Sequence, residues 1–400
     1  MDQPNQSLFN RTYLKILSWI VAIVIVVLTA SNQNTTTLPV TELADDWIYL
    51  TIEKEMDQQL RLTYPVIPAY TENQTQQRLA LQSALTKAAT KQSNLSLQWQ
   101  DDRVTLTLSI PQPHDKLSTF NLENLLSDLT FSVNQYYPTA LKRSTAERYL
   151  ALNNIEELAL SNLKAQLPAF LSGYIEPSSI FNLFTQRPTV LLVLKEEQPS
   201  LMDPILQQFE ARYSQSDVLD TIEQTGTQKT PIRINLQHRS SQHLYLTGQP
   251  ISANTDETSR TLTFHYVNHA IQPLIENSSS TYRLLLKPAS PIGYSALSLM
   301  RDRTLKKTLS SNLQTYLLEN FNSEQLEQIK TSLVQKYREQ LSTPLGRVEQ
   351  LSNSLFYREK LQSEDEFRDT LNNISDAQIQ TNIEQLFDPL RTIIVRITPP

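Results

Sequence analysis

The residues best suited to chemistry are His265 and His269, which sit four apart in the run His265-Tyr266-Val267-Asn268-His269. On a helix this spacing puts two imidazoles one turn apart on one face. Such a pair can hold zinc when a third ligand, here Glu339 or Glu349, reaches it. Beside Phe264 and Tyr266 the same pair also reads as a partly exposed, hydrogen-bonded helix face. The second reading is the expectation: no catalytic residue, no bound cofactor and no metal, with His265 and His269 as weak zinc candidates. His114, His238 and His243 lie near strand ends or loops and form no cluster.

Other chemistries drop out by composition. With Cys at 0 there is no disulfide, thiolate metal site, iron–sulfur ligation, cysteine nucleophile or lipoprotein anchor. The Gly count is 5, never two within a short loop, so no phosphate-cradling turn can form. No serine sits on a Gly-flanked elbow. Against 35 Lys+Arg stand 41 Asp+Glu, a net of 35 − 41 = −6, with no long run of either sign. Nucleic acid is therefore excluded as a partner. At 39% hydrophobic and 19% charged, the chain suits a folded protein with a substantial core.

The elements that must position the histidines repeat. LRLTYPVIPAYT from Leu60 matches LYLTGQPISANT from Leu244, an offset of 244 − 60 = 184. The identical pairs are Leu60/Leu244, Leu62/Leu246, Thr63/Thr247, Ile67/Ile251, Ala69/Ala253 and Thr71/Thr255. Each match is an alternating strand leading to an acidic helix start, Glu72 in one case and Asp256 and Glu257 in the other. Helices are predicted over Glu72 to Lys91 and Asp256 to Asn277. A hairpin follows each: Leu95 to Trp99 with Val104 to Ile110, and Tyr282 to Lys287 with Ile292 to Leu299. Helices come next, at Leu122 to Tyr137 and Ala140 to Leu167, then at Asp302 to Asn320, Ser323 to Leu341 and Pro344 to Lys360. A β-branched strand closes each half, Thr189 to Leu194 and Thr392 to Ile397. The order predicts an α+β fold of two tandem homologous halves, each a sheet with helices packed on one face.

Ahead of both halves, Ile16 to Ala30 is uncharged and apolar, with Arg11 and Lys15 before it. Tyr13 to Ser31, about 19 residues at ~1.5 Å each, nearly crosses a ~30 Å hydrocarbon layer. The expectation is a signal anchor over 13–31, a cytoplasmic tail over 1–12 and a polar linker over 32–44, with the remainder outside the inner membrane, in the periplasm. Cleavage after the span is the alternative, at the poor site Thr29-Ala30-Ser31. Domains are expected at 45–195 and 242–400, joined by a connector over 196–241.

The carboxyl-terminal stretch resembles the end of a pitrilysin/insulinase-type metallopeptidase half. The carrying motifs are the helix start Ser323-Glu-Gln-Leu326, the helix entry Ser342-Thr-Pro-Leu-Gly-Arg347, the segment Tyr357-Arg-Glu-Lys-Leu361, the helix start Ile374 to Ile379, and Pro389 ahead of the strand Thr392 to Ile397. The resemblance is closest over Gln242 to Pro400 and architectural over Asp45 to Leu194. It implies tandem α+β halves. In active relatives it also implies an inverted His-x-x-Glu-His zinc motif on the first helix, whose Glu is the general base. The repeat offset puts Leu81-Gln82-Ser83-Ala84-Leu85 there, since 265 − 184 = 81, and leaves neither ligand nor base. The second half has its two histidines but Asn268 where the Glu would stand, and an amide cannot take the proton from water near neutral pH. The family's auxiliary Arg and Tyr correspond to Leu274 to Tyr282, where Tyr282 is present and no Arg precedes it.

The resemblance implies a degenerate, membrane-anchored, non-catalytic relative that binds extended peptides or an active peptidase paralogue in the cell envelope. The alternatives are an active zinc endopeptidase using His265 and His269, and an envelope structural protein of the same fold.

Overall fold

The computed structural model describes residues 39–44, 46–110, 121–171, 180–196, 199–213, 231–251, 257–276, 280–301, 309–388 and 392–400. The expected tail, membrane anchor and most of the linker lie outside these residues, as does His114. Among the described residues no helix is long and apolar enough to cross a membrane.

The fold is α+β with two sheets. The first contains β1 (Val40–Ala44), β2 (Ile48–Ile52), β3 (Gln59–Pro65), β4 (Leu95–Trp99), β5 (Arg103–Ser109) and β6 (Thr189–Leu194), in the order β1-β2-β6-β3-β5-β4. The second contains β7 (Ile232–Gln237), β8 (His243–Ile251), β9 (Ser280–Lys287), β10 (Gly293–Arg301) and β11 (Ile393–Thr398), in the order β7-β11-β8-β10-β9. Without β1 the plans coincide. Each sheet starts with a parallel pair, β2 with β6 and β7 with β11, and continues antiparallel to the end of a hairpin. The matched strands β3 and β8 hold the same place in the two plans.

The helices are α1 (Glu72–Ala89), α2 (Leu122–Ala151), α3 (Ile155–Lys164), α4 (Pro199–Tyr213), α5 (Glu257–Glu276), α6 (Leu309–Glu319), α7 (Ser323–Ser342), α8 (Pro344–Phe356), α9 (Glu364–Asn373) and α10 (Asp376–Leu386). Local chemistry sets where they begin. Thr71 and Gln74 form a capping box ahead of α1, and Asn154 accepts from the Glu156 and Glu157 amides to start α3.

Packing departs from the expectation of helices on one face only. On one face of the first sheet, Leu60, Leu62, Tyr64, Leu106 and Leu192 pack with α1, α2 and α4. On its other face, Tyr49, Leu191 and Val193 meet Val348 and Leu351 of α8, a helix from the second half. The loan is returned. Ile155, Ala159, Leu160 and Leu163 of α3 pack on Leu244, Leu246, Val395 and Ile397 of the second sheet. The approach is close enough that a Cβ at Gly248 would collide with Leu163 Cδ1. The opposite face of the second sheet, through Leu297 and Leu299, packs with Leu262 and Tyr266 of α5.

This exchange corrects the register of the repeat. Even-numbered residues of β3 face its own half's helices, whereas in β8 the even residues Leu244 and Leu246 face α3. Tyr245 and Thr247 share the other face with Leu299 and Leu297. An offset of 184 therefore aligns equivalent strands with opposite faces, since a one-residue slip inverts every side chain. On the helices the same offset sets buried Leu81 and Leu85 against half-exposed His265 and exposed His269.

Three further boundaries differ from expectation. Helix α2 continues through Pro138 to Ala151, because its buried face, Leu126, Leu129, Val133, Tyr137, Ala140 and Ser144, continues across the proline. Strand β7 falls within the expected connector, where α4 also contributes Ile205, Phe209 and Tyr213 to the first core. Strand β1, within the expected linker, pairs with β2.

Candidate functional site

The residues singled out from sequence do not converge. His265 is half-buried on α5, and its burial, with Lys336 nearby, pushes its imidazole below the usual histidine range. His269 is exposed, and its Nδ1 meets the Gln325 side-chain amide. Asn268 is also exposed. Glu339 accepts from Gln335 Nε2 at 3.0 Å, one turn along α7. Glu349 lies on α8, near Arg61 of the first sheet. Among the described residues no group of three or more His, Cys, Asp or Glu could hold a metal ion.

The mapping of α1 onto a zinc helix does not depend on the corrected register. From Asn73 to Ala89 that helix has no His, Asp or Glu. Its one carboxylate, Glu72, is engaged by Arg148 Nε at 2.9 Å and Ser161 Oγ at 3.0 Å. Tyr282 of β9 packs at the edge of the core under α5, and the next residue, Arg283, reaches Glu156 at 3.6 Å. His238 Nδ1 accepts from the Ser240 amide, and His243 opens β8.

The structure instead assembles a cavity of about 650 Å³ between the halves. The β4–β5 turn, α1, α3, the β9–β10 turn and the end of α8 line it. Arg78 of α1 fixes the first turn by donating to the Gln100 and Asp101 carbonyls. Burial holds its guanidinium below the usual arginine range. Beside it, Asp102 takes a charge-assisted contact from Arg103 at 3.2 Å, and its Oδ2 accepts from the Ser290 amide at 3.0 Å and the Tyr357 hydroxyl at 2.8 Å. Arg103 also donates to Asn353 Oδ1 at 2.9 Å and lies over the rings of Phe356 and Tyr357. Tyr70 closes another link, donating to the Ile292 carbonyl at 2.9 Å.

Lys164 of α3 stands over the Tyr294 ring, 5.8 Å from its centroid. Burial lowers the Lys164 ammonium below the usual range and, with Asp101 and Glu157, raises the Tyr294 phenol. The Trp99 indole N–H, at the end of β4, is buried without a partner. This lining can hydrogen-bond a polar chain. Its hydroxyl–carboxylate contact, Tyr357 with Asp102, is closed off by Arg103 and the Ser290 amide, and its arginines are committed to carbonyls or to Asp102. Among the described residues β4 and β9 are the last strands of their sheets with one edge unpaired, and Trp99, Leu286 and Lys287 carry both strands into the cavity wall.

Asp102, Arg103, Lys164, Tyr294 and Tyr357 escaped the sequence reading. Asp101, Asp102 and Arg103 fall between the expected strands Leu95 to Trp99 and Val104 to Ile110, and Tyr357 stands only within a family-like segment. No spacing in the chain signals contacts spanning 188 to 255 positions.

No family sequence profile and no curated protein sequence matches the chain. Solved structures do. A peptidase M16 inactive domain from Pseudomonas fluorescens superposes with a TM-score of 0.65 at 14% identity, covering 91% of this chain and 98% of that one. A protease from Helicobacter pylori gives a TM-score of 0.59 at 10% identity, covering 91% and 99%. The periplasmic protease PqqL from Escherichia coli gives a TM-score of 0.55 at 12% identity, covering 91% of this chain and 48% of that one. The fold is therefore that of peptidase M16 domains, the pitrilysin-type fold that the sequence resemblance implies.

Proposed function

We propose that the chain is a non-catalytic peptidase-like protein that captures extended polypeptide, or a segment of an active peptidase partner, in the cavity between its two homologous halves. The observation that carries this reading is a polar inter-half cavity bordered by two strands, β4 and β9, that end their sheets among the described residues, none of which places a hydrolytic group there. An extended chain can add to such an edge through its backbone, and the recognition needs no metal. Leu81 and Leu85 pack in the first core, and Asn268 stands where the second half would need a base. The likeness to an inactive domain supports the same reading. Residues 13–31 tether the protein to the inner membrane, with the folded part in the periplasm. The proposed partner is an active peptidase paralogue.

Hydrogen exchange on the purified full chain with a reduced, unfolded polypeptide tests the capture. Protection of amides in Leu95–Trp99 or Ser280–Lys287 is the expected result. Saturable binding that protects neither edge would overturn the proposed site.

A further inference from the structure

A second cavity, of about 350 Å³, lies inside the second half, between the sheet and helices α5 and α10. Its size falls in the lower part of the range for small-molecule sites, about 300–1,000 Å³. Its wall is more apolar than polar, with Val267 from α5, Leu284 and Leu297 from the sheet, and Phe387 just past α10. Among them sits the Thr247 hydroxyl, 4% exposed and without a hydrogen-bond partner.

Asn382 and Gln249 on the wall are already engaged. Asn382 Nδ2 donates to Ser259 Oγ at 2.7 Å and Thr263 Oγ1 at 3.1 Å, and the Gln249 amide donates to the Gln385 carbonyl. Leaving a buried hydroxyl unpaired is costly, so an orphan beside an open space marks a place for a partner.

We infer that this cavity binds a small, uncharged, mainly apolar molecule whose single hydrogen-bonding group meets the Thr247 hydroxyl. Among the described residues no carboxylate lines it. The one charged side chain the described residues place on its wall, Arg260, is half-exposed and has interactions of its own, so a buried ligand charge would have no dedicated partner among them.

The test is site-mapped photolabelling of the full-length chain with 4-(3-trifluoromethyl-diazirin-3-yl)benzyl alcohol, a neutral aromatic probe with one hydroxyl. Labelled peptides read out the site even in detergent. The expected result is saturable labelling in α5 and β10. Leu284→Trp, which fills the cavity from the edge strand, should abolish it. Thr247→Val, which keeps the shape and removes the hydroxyl, should weaken it roughly three- to ten-fold, the worth of one hydrogen bond. Should Leu284→Trp fail to fold, Thr247→Val carries the test alone. Labelling that rises linearly with probe, or is equal in wild type and Thr247→Val, overturns the inference. Stronger labelling by the corresponding benzoic acid probe overturns its uncharged character.

Discussion

The Tyr357 hydroxyl donates to Asp102 Oδ2 at 2.8 Å across 255 positions of chain. That bond joins the hairpin turn of the first half to the end of α8 in the second. Asp102 is 3% exposed, and its charge is matched by Arg103, Tyr357 and the Ser290 amide. Removing one partner of a buried pair strands the other. Asp102→Ala should therefore cost about 3–5 kcal/mol, and Tyr357→Phe about 1–3 kcal/mol, in urea unfolding of the purified chain. A loss below about 1 kcal/mol for Asp102→Ala would mean that this contact does not hold the halves together.

The exchange of α3 and α8 between sheets makes a prediction about where damage spreads. Leu351→Ala in α8 should cost about 2–5 kcal/mol and raise hydrogen exchange in β2 and β6, whose Tyr49, Leu191 and Val193 it supports. Leu163→Ala in α3 should do the same in β8 and β11. Exchange rising only within each variant's own half would contradict the packing.

The sequence made the strand and helix order legible, but hid the register for a physical reason. Both faces of each sheet are covered, so both alternating sets in β3 and β8 are buried. An even offset then matches apolar residues without regard to face. Strand β7, IRINLQ, is only half-buried and looked like connector. The site was largely illegible. Asp102 and Arg103 acquire their roles from Ser290, Asn353 and Tyr357, and nothing local to the first hairpin announces those partners.

His265 supplies a prediction in pH. Burial first, then Lys336, lowers its pKa in the folded state, so the unfolded chain binds the proton more readily. Its contribution to stability is therefore fully present above the unfolded value, about 6.5, and is lost as pH falls through the depressed folded value. His265→Gln should flatten the fall in stability as pH drops below about 6.5, read as melting temperature against wild type. An unchanged profile would show that the imidazole titrates as it does in the unfolded chain.

The central claim, capture without cleavage, is tested most directly by incubating the full chain with an unfolded polypeptide and excess zinc and following cleavage by mass spectrometry. Positioned proton transfer alone is worth ~10²- to 10⁴-fold in rate, and Asn268 cannot supply it. Wild type should therefore turn substrate over no faster than a His265→Ala, His269→Ala double variant. Chelator-sensitive cleavage well above that variant would contradict the account and make the protein a metallopeptidase.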